Sequence, residues 1–247
     1  ILVPDIKGGN NPLYWGEQNF SGGAFYFGAI LVALFMVSLI LRRDVLRWPM
    51  LAVALLAIVL SWRDASGLTD FFLDNVPGFA KFRDTKMMLM LIQCMLPIGV
   101  GLLLKDVVDG KVEWGRKLFI AAGVPVLLLL SFALLPEALF GFESHVRPDR
   151  AVEQLGASRA LDQRLEVYSA DVWRSFGLVL LAMLGLLAAV KLRASGARPM
   201  VVNGVFGVLA LVTLMEMQAV DRRYQPADKG WVRSVEYSHP YTASAAD

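Results

Sequence analysis

Acidic and basic side chains cluster in one short polar stretch, residues 68–86, between two long apolar runs. Lys81, Arg83 and Lys86 bring three cations to the start of the second run. Arg83 and Lys86 are three residues apart, so on a helix they point the same way. Two cations beside a helix N-terminus bind phosphate well, and this spacing therefore predicts a phosphate-binding site. The alternative is that these side chains only snorkel to water at a membrane edge.

The same region supplies carboxylates that could act as a general base. Asp64 and Asp70 are the candidate catalytic residues, although a base must also reach its substrate and Asp residues in a loop are mostly solvated. Asp70 and Asp74 are one helical turn apart, which would allow a shared divalent cation. No dedicated metal site is expected, because His145 and His239 lack Cys or acidic partners at ligand spacing.

The polar stretch is predicted to begin with a short helix that lies in the membrane interface. Thr69 can cap such a helix, and the Pro-Gly pair at 77–78 would end it. Phe71 and its apolar neighbours then share one face, while Asp70 and Asp74 lie on the other. This pattern is typical of a helix lying on a membrane with its apolar side down.

The rest of the chain has the composition of a helical membrane protein. Hydrophobic residues make up 56% of the 247 residues, above the roughly 45–50% of soluble domains, and the mean hydropathy is +0.54. We expect an all-α, polytopic integral membrane bundle, because open strands in lipid leave backbone groups unpaired. A net charge of +2 gives no reason to expect nucleic acid. Apolar runs long enough to cross a bilayer predict six spans, near 23–41, 48–62, 87–104, 118–140, 172–190 and 200–220.

Lys and Arg are unevenly distributed between the links that join these spans. Three links with clustered bases fall on one side when six spans alternate: 42–47, 105–117 and 191–199. The positive-inside rule places them in the cytoplasm. The N-terminus, 63–86, 141–171 and the polar tail 221–247 are then extracytoplasmic. Because the chain begins without Met and ends in that polar tail, we expect it to be part of a longer protein with an incomplete outer segment.

Two features of the outer side concern the later spans. Pro148 can start a helix, and the apolar spacing after it predicts a surface helix broken at Gly156. Glu137 and Glu216 lie inside apolar runs, about one turn from the predicted outer ends. Charges are costly in the membrane core, so we expect both at the interface.

Three stretches resemble the YfhO family of bacterial membrane proteins: YWGEQNFSGGAFYFGAI at 14–30, LSW at 60–62 and LTDFFLDNVPGFAKFRDTKMML at 68–89. The family pattern is matched by Tyr14-Trp15-Gly16, Gly22, Gly23, Gly28, Leu60-Ser61-Trp62, Pro77, Lys81, Phe82 and Arg83. The resemblance covers residues 12–104 and is loose beyond them. Arg63 and Asp64 stand where the family often has Gly or Asn.

The resemblance implies the architecture of the GT-C glycosyltransferases in the bacterial cytoplasmic membrane. Members with a known role glycosylate cell-envelope polymers outside the membrane, using a sugar on polyprenyl phosphate and no cofactor. Lys81, Phe82 and Arg83 match the family, and Lys86 lies where related enzymes often hold a basic residue. The catalytic base of that class is an Asp upstream of this chain. The implied partners are the bilayer, the lipid-linked sugar and other envelope membrane subunits.

We therefore expect the membrane portion of a GT-C-like glycosyltransferase in which Arg83 and Lys86 stabilise the charge that develops on the leaving lipid phosphate. The alternative is a non-catalytic membrane scaffold or anchoring subunit of an envelope complex. A transporter is a third hypothesis. It would need interrupted helices with polar groups at mid-membrane, and only Pro97 and Pro125 indicate such breaks.

Overall fold

A computed structural model describes residues 2–9, 12–16, 25–61, 67–81, 85–144 and 149–224. Within these ranges the chain is all-helical and contains no strand, which confirms the predicted class. The helices are α1 (Ala29–Leu41), α2 (Arg47–Ser61), α3 (Gly67–Asn75), α4 (Leu89–Val108), α5 (Arg116–Leu134), α6 (Pro136–Leu139), α7 (Arg150–Leu155), α8 (Ala157–Ala194) and α9 (Pro199–Tyr224). Two 3-10 turns, Phe79–Lys81 and Thr85–Met88, precede α4.

Four helical segments of the described chain are long and apolar enough to cross a membrane. They are Thr85–Val108, Arg116–Leu134, Ala157–Ala194 and Pro199–Tyr224. A bilayer core of about 30 Å needs about 20 helical residues. The apolar helices α1 and α2 have only 13 and 15 residues. The described chain thus has the helices of a multi-pass membrane protein, and the predicted spans near 23–41 and 48–62 stay predictions.

The fifth predicted span is one end of a much longer helix. The expected break at Gly156 is confirmed, since α7 ends at Leu155 and Gly156 has a φ of +83°. From Ala157, however, α8 continues for 38 residues, about 57 Å at a rise of about 1.5 Å per residue. The part of the expected surface helix after Gly156 and the fifth predicted span are therefore one helix, α8. The buried residues run along one face without interruption: Ala160, Arg164, Tyr168, Asp171, Ser175, Val179, Ala182 and Leu186.

Two predicted boundaries in the outer loops are corrected by the structure. The fourth predicted span, 118–140, corresponds to α5, which ends at Leu134 rather than at Phe140. The helix ends there because the residue before a proline, here Leu135, disfavours helical geometry. Thr69 does not cap α3 but lies inside it, fully buried. Its hydroxyl donates to the Val59 carbonyl at 3.4 Å, which attaches α3 to α2. The end of α3 before Pro77 agrees with the prediction.

The three basic links meet at one end of the bundle, here called the basic end. Their hydrogen bonds join Arg42 to Asp106 at 2.5 Å, Lys117 Nζ to the Leu41 carbonyl at 2.9 Å, and Arg193 Nε to the Val108 carbonyl at 2.7 Å. The three links therefore lie together, and the side of the membrane that they face stays a prediction. The other end, here called the distal end, holds residues 2–9 and 12–16, here called the N-terminal segment, with the start of α8 and the end of α9.

Helix α1 lies inside the bundle and packs against α4, α5 and α8. Its approach to α4 is closest where Gly99 faces the buried ring of Phe35. A methyl group at Gly99 would lie 2.6 Å from that ring, which is closer than packed carbon atoms approach. Gly99 therefore sets the distance between these two helices.

We expect Gly99→Ala to lower the thermal stability of the detergent-solubilised protein, because overpacking a filled core costs about 1–3 kcal/mol. Gly101→Ala is the matched control, since a methyl group at Gly101 would meet no atom within 4 Å. The control should be neutral or slightly stabilising, because Ala favours a helix over Gly by up to about 1 kcal/mol. Equal stability of the two variants would contradict the close packing of α1 on α4.

Candidate functional site

The structure places three of the five predicted site residues and leaves two outside the described ranges. Asp64 and Arg83 are among the residues that it does not describe. Asp70 is exposed on α3, and Lys81 is exposed at the end of the 79–81 turn. Lys86 is half-buried in the turn that leads into α4. Neither Asp70 nor Lys81 lines the cavity that holds Lys86.

Lys86 lines a cavity of about 210 Å³ at the distal end, here called the lysine cavity. Lys7 and Tyr14 also line it, although both are distant from Lys86 in sequence. Phe25 forms a wall, with the Lys86 Nζ atom 5.2 Å from its ring centroid. Two ammonium groups and a phenol provide several hydrogen-bond donors. The volume is below the roughly 300–1,000 Å³ of whole small-molecule sites, so the cavity suits one anionic group.

The N-terminal segment folds back on itself to bring Lys7 and Tyr14 to this cavity. The Trp15 amide donates to the Lys7 carbonyl at 3.0 Å, and the Lys7 ammonium lies 4.1 Å from the centroid of the Trp15 ring. Gly8 permits this return, because its φ is +86° and a methyl group there would lie 2.4 Å from the Leu13 carbonyl oxygen. Sequence spacing did not predict Lys7, since only this fold brings it near Lys86.

Ion pairs hold the N-terminal segment against α8 and the end of α9. The Arg223 guanidinium contacts Asp171 through two hydrogen bonds of 2.8 Å and Asp5 through one of 2.9 Å. The Tyr224 hydroxyl also donates to Asp5. Asp171 is 2% exposed, and a buried carboxylate needs such a partner. Asp5 is two residues from Lys7, so these bonds also position the lysine.

A second anchor of the segment is Arg164, which is only 2% exposed on α8. Its Nε atom donates to the Leu13 carbonyl and its Nη1 atom to the Phe142 carbonyl, both at 3.0 Å. Its Nη2 atom lies 2.8 Å from Asp149. Asp149 in turn accepts from the Ala151 amide and caps α7. One buried guanidinium therefore joins the N-terminal segment, the loop after α6 and the start of α7.

A larger cavity of about 930 Å³ lies beside Arg164. Phe142 lines it, and the Phe142 ring packs on the Trp15 ring with centroids 5.2 Å apart. Trp15 therefore contacts one residue of each cavity, Phe142 of the larger cavity and Lys7 of the lysine cavity. The carboxylates that line the larger cavity belong to Glu137, Glu143, Asp149 and Glu153.

Glu216 lies at the distal end of α9 and is buried within the bundle, and its predicted place at the membrane interface stays a prediction. Its carboxylate accepts hydrogen bonds from the Tyr26 hydroxyl and from the Ala29 amide, the latter at 2.9 Å. Ala29 is the first residue of α1, and a carboxylate is stabilised beside a helix N-terminus. This favourable position explains why Glu216 is only 3% exposed. It attaches α9 to the start of α1.

No group of three or more His, Cys, Asp or Glu among the described residues could hold a metal ion. No family model, curated protein or solved structure matches the chain. The functional proposals therefore rest on the cavities and on the side chains that surround them.

We expect Asp171→Asn to destabilise the protein by about 1–3 kcal/mol. The substitution removes the charge of the buried Asp171 side chain, so its hydrogen bonds with the Arg223 guanidinium become weaker. The partner Arg223 has a 39% exposed side chain, which keeps the cost at the lower end of values for buried pairs. Asp162→Asn changes an exposed residue of the same helix and is the control. Thermal unfolding and limited proteolysis of the N-terminal segment measure the effect, and equal behaviour of both variants would contradict it.

The contact between Asp149 and Arg164 should make stability depend on pH. Burial alone would raise the pKa of Asp149, but hydrogen bonds from Arg164, Val152 and Ala151 outweigh it and hold the pKa below the ordinary 3.8. A depressed pKa contributes stability above the unfolded value that is lost as the pH falls through the folded value.

The stability difference between the wild type and Asp149→Asn should therefore be full above about pH 5 and shrink below about pH 4. Thermal unfolding of both proteins across this range measures it. A difference that stays constant on acidification would show that the Asp149 charge does not contribute.

Proposed function

We propose that the chain is the membrane portion of a glycosyltransferase-like protein that binds a sugar carried on polyprenyl phosphate. The observation that supports this proposal is the lysine cavity, where Lys7 and Lys86 converge beside Tyr14 in a volume suited to one phosphate group. Arg83, three residues before Lys86, is the third proposed phosphate ligand, and Lys81 is a fourth cation on the same segment. In this proposal the distal end faces outward from the bacterial cytoplasmic membrane.

The proposed reaction transfers the sugar from phosphate to an acceptor hydroxyl of the cell envelope. The hydroxyl oxygen attacks the anomeric carbon, the bond from that carbon to the phosphate oxygen breaks, and the lipid phosphate leaves with the electron pair. The two ammonium groups would stabilise this charge more in the transition state than in the ground state. The larger cavity, one segment away, offers room for the sugar and the acceptor.

The reaction also needs a general base to take the hydroxyl proton. Asp64 and Asp70 stay the candidates within this chain. Asp70 is exposed and would need the acceptor to approach α3.

We further propose that α1 and α2 cross the bilayer, which would give six spans. Phe25 contacts Lys86 at the distal end, and Arg42, which follows α1, contacts Asp106 at the basic end. The chain must then return from the basic end to Lys86 through α2. The two helices therefore run between the same two ends as the four longer ones. Helix α3, with exposed Phe71 and Asp70, would lie in the interface.

A competing proposal is a non-catalytic scaffold or anchoring subunit of an envelope complex. It is favoured by the lining of the lysine cavity, in which no carboxylate occurs among the described residues. Such a subunit would hold the lipid phosphate without reacting with it. The two proposals share the phosphate site and differ in whether sugar is transferred.

We expect Lys7→Gln with Lys86→Gln to weaken binding of farnesyl phosphate by at least about tenfold, because each charge-assisted hydrogen bond is worth about 1.5–3 kcal/mol. The control is Arg150→Gln with Arg159→Gln, which removes two exposed cations from the same end. Titration followed by native mass spectrometry measures affinity, and thermal unfolding shows whether each variant folds.

Equal binding by a folded Lys7/Lys86 variant and the wild type would remove the phosphate site from the proposal. A sugar-transfer assay on the full-length protein then separates the two functions. Transfer that depends on Lys86 supports the enzyme, and intact lipid binding without transfer supports the scaffold.

A further inference from the structure

A second cationic cavity, of about 490 Å³, lies at the basic end. It is formed by the end of α1, the link between α4 and α5, and the start of α5. Five basic side chains line it, against two acidic ones. The basic residues are Arg42, Arg43, Lys111, Arg116 and Lys117, and the acidic ones are Asp106 and Glu113. This cavity, here called the basic cavity, is separate from the lysine cavity of the distal end.

The basic side chains of this cavity are only partly paired with acidic ones. Arg42 binds Asp106 and Asp44, and Lys111 lies 3.1 Å from Asp109, a contact that raises the pKa of Lys111 and keeps it charged. The side chains of Arg43 and Arg116 form no ion pair or hydrogen bond with any described residue. Two guanidinium groups at the cavity are thus available to an anion. Arginine is the side chain that best matches the oxygens of a phosphate.

The first turn of α5 also favours an anion in this cavity. It contains Arg116 and Lys117 but no acidic residue, and Gly115 provides no side-chain cap. Cations are unfavourable beside the positive end of a helix dipole. A bound anion would offset both the dipole and the repulsion between the cations.

An apolar groove of about 460 Å³ lies next to the basic cavity, between α1 and α2. Leu39 and Ile40 line the groove, and the adjacent Leu41 lines the basic cavity. Trp48 lines the groove beneath Arg47, whose guanidinium is 4.7 Å from its ring centroid. A cationic cavity and an apolar groove thus flank the last turn of one helix. This combination matches an anionic head with an acyl chain better than a free anion.

We propose that the basic cavity binds the phosphate of an anionic membrane phospholipid, with an acyl chain of the same lipid in the adjacent groove. Basic pockets between membrane helices are suited to such headgroups. The lipid would bridge the link after α1 and the start of α5, where the charges of Arg43 and Lys117 repel each other. This inference is independent of the sugar-transfer proposal, which concerns the other end.

The test uses the purified chain in neutral detergent, titrated with short-chain phosphatidylglycerol, phosphatidylcholine or inorganic phosphate. Native mass spectrometry counts bound lipid, and thermal unfolding reports stabilisation. The variant is Arg43→Gln with Arg116→Gln, which removes no side-chain ion pair or hydrogen bond between described residues. The control, Lys105→Gln with Arg198→Gln, removes two exposed cations of the same end that do not line the cavity.

We expect phosphatidylglycerol to bind and stabilise the wild type, and phosphatidylcholine to have little effect. The Arg43/Arg116 variant should bind phosphatidylglycerol about tenfold more weakly, and the control should stay within about threefold, since any nearby base adds some attraction. Equal losses in both variants would show general surface attraction and overturn the site. Full stabilisation by inorganic phosphate alone would replace the lipid with a free anion and overturn the lipid assignment.

Discussion

The arrangement of the distal end depends on one guanidinium shared by two carboxylates. Arg223 bonds both Asp171 of α8 and Asp5 of the N-terminal segment. Asp171 is buried and would be costly without this partner. The same contact holds the segment that carries Lys7, together with the bond from Arg164 to the Leu13 carbonyl. A buried charge in the bundle thereby helps to position a residue of a cavity that it does not line.

Charge is segregated to the two ends of the bundle, as a bilayer between them requires. The basic end is stabilised mainly by bonds from Arg and Lys to backbone carbonyls and to Asp106. The distal end uses buried acids, Asp171 and Glu216, that bind groups of neighbouring segments. Each end also holds a cavity lined by basic side chains, the lysine cavity at the distal end and the basic cavity at the other.

Hydropathy and Lys/Arg bias predicted the helical class, the long apolar helices and the grouping of the basic links. These features can be predicted because they depend only on how apolar and basic residues are distributed along the chain. The continuity of α8 was not predicted, because the first half of the helix is rich in polar residues and only one face of it, which starts at Ala160, is buried. The pairing of Asp5 with Arg223 joins opposite ends of the described chain and leaves no local pattern. Lys86 was selected from its spacing, whereas Lys7 could be found only from the fold.

The central claim, that a lipid phosphate binds at the distal end between Lys7 and Lys86, is tested most directly by photo-crosslinking. The probe is farnesyl phosphate with a diazirine on the isoprene unit next to the phosphate, and peptide mass spectrometry locates the labels. The account expects labels within residues 2–16 and around Lys86, reduced by excess unlabelled farnesyl phosphate. Labels confined to 42–47 and 111–117, at the basic end, would contradict it.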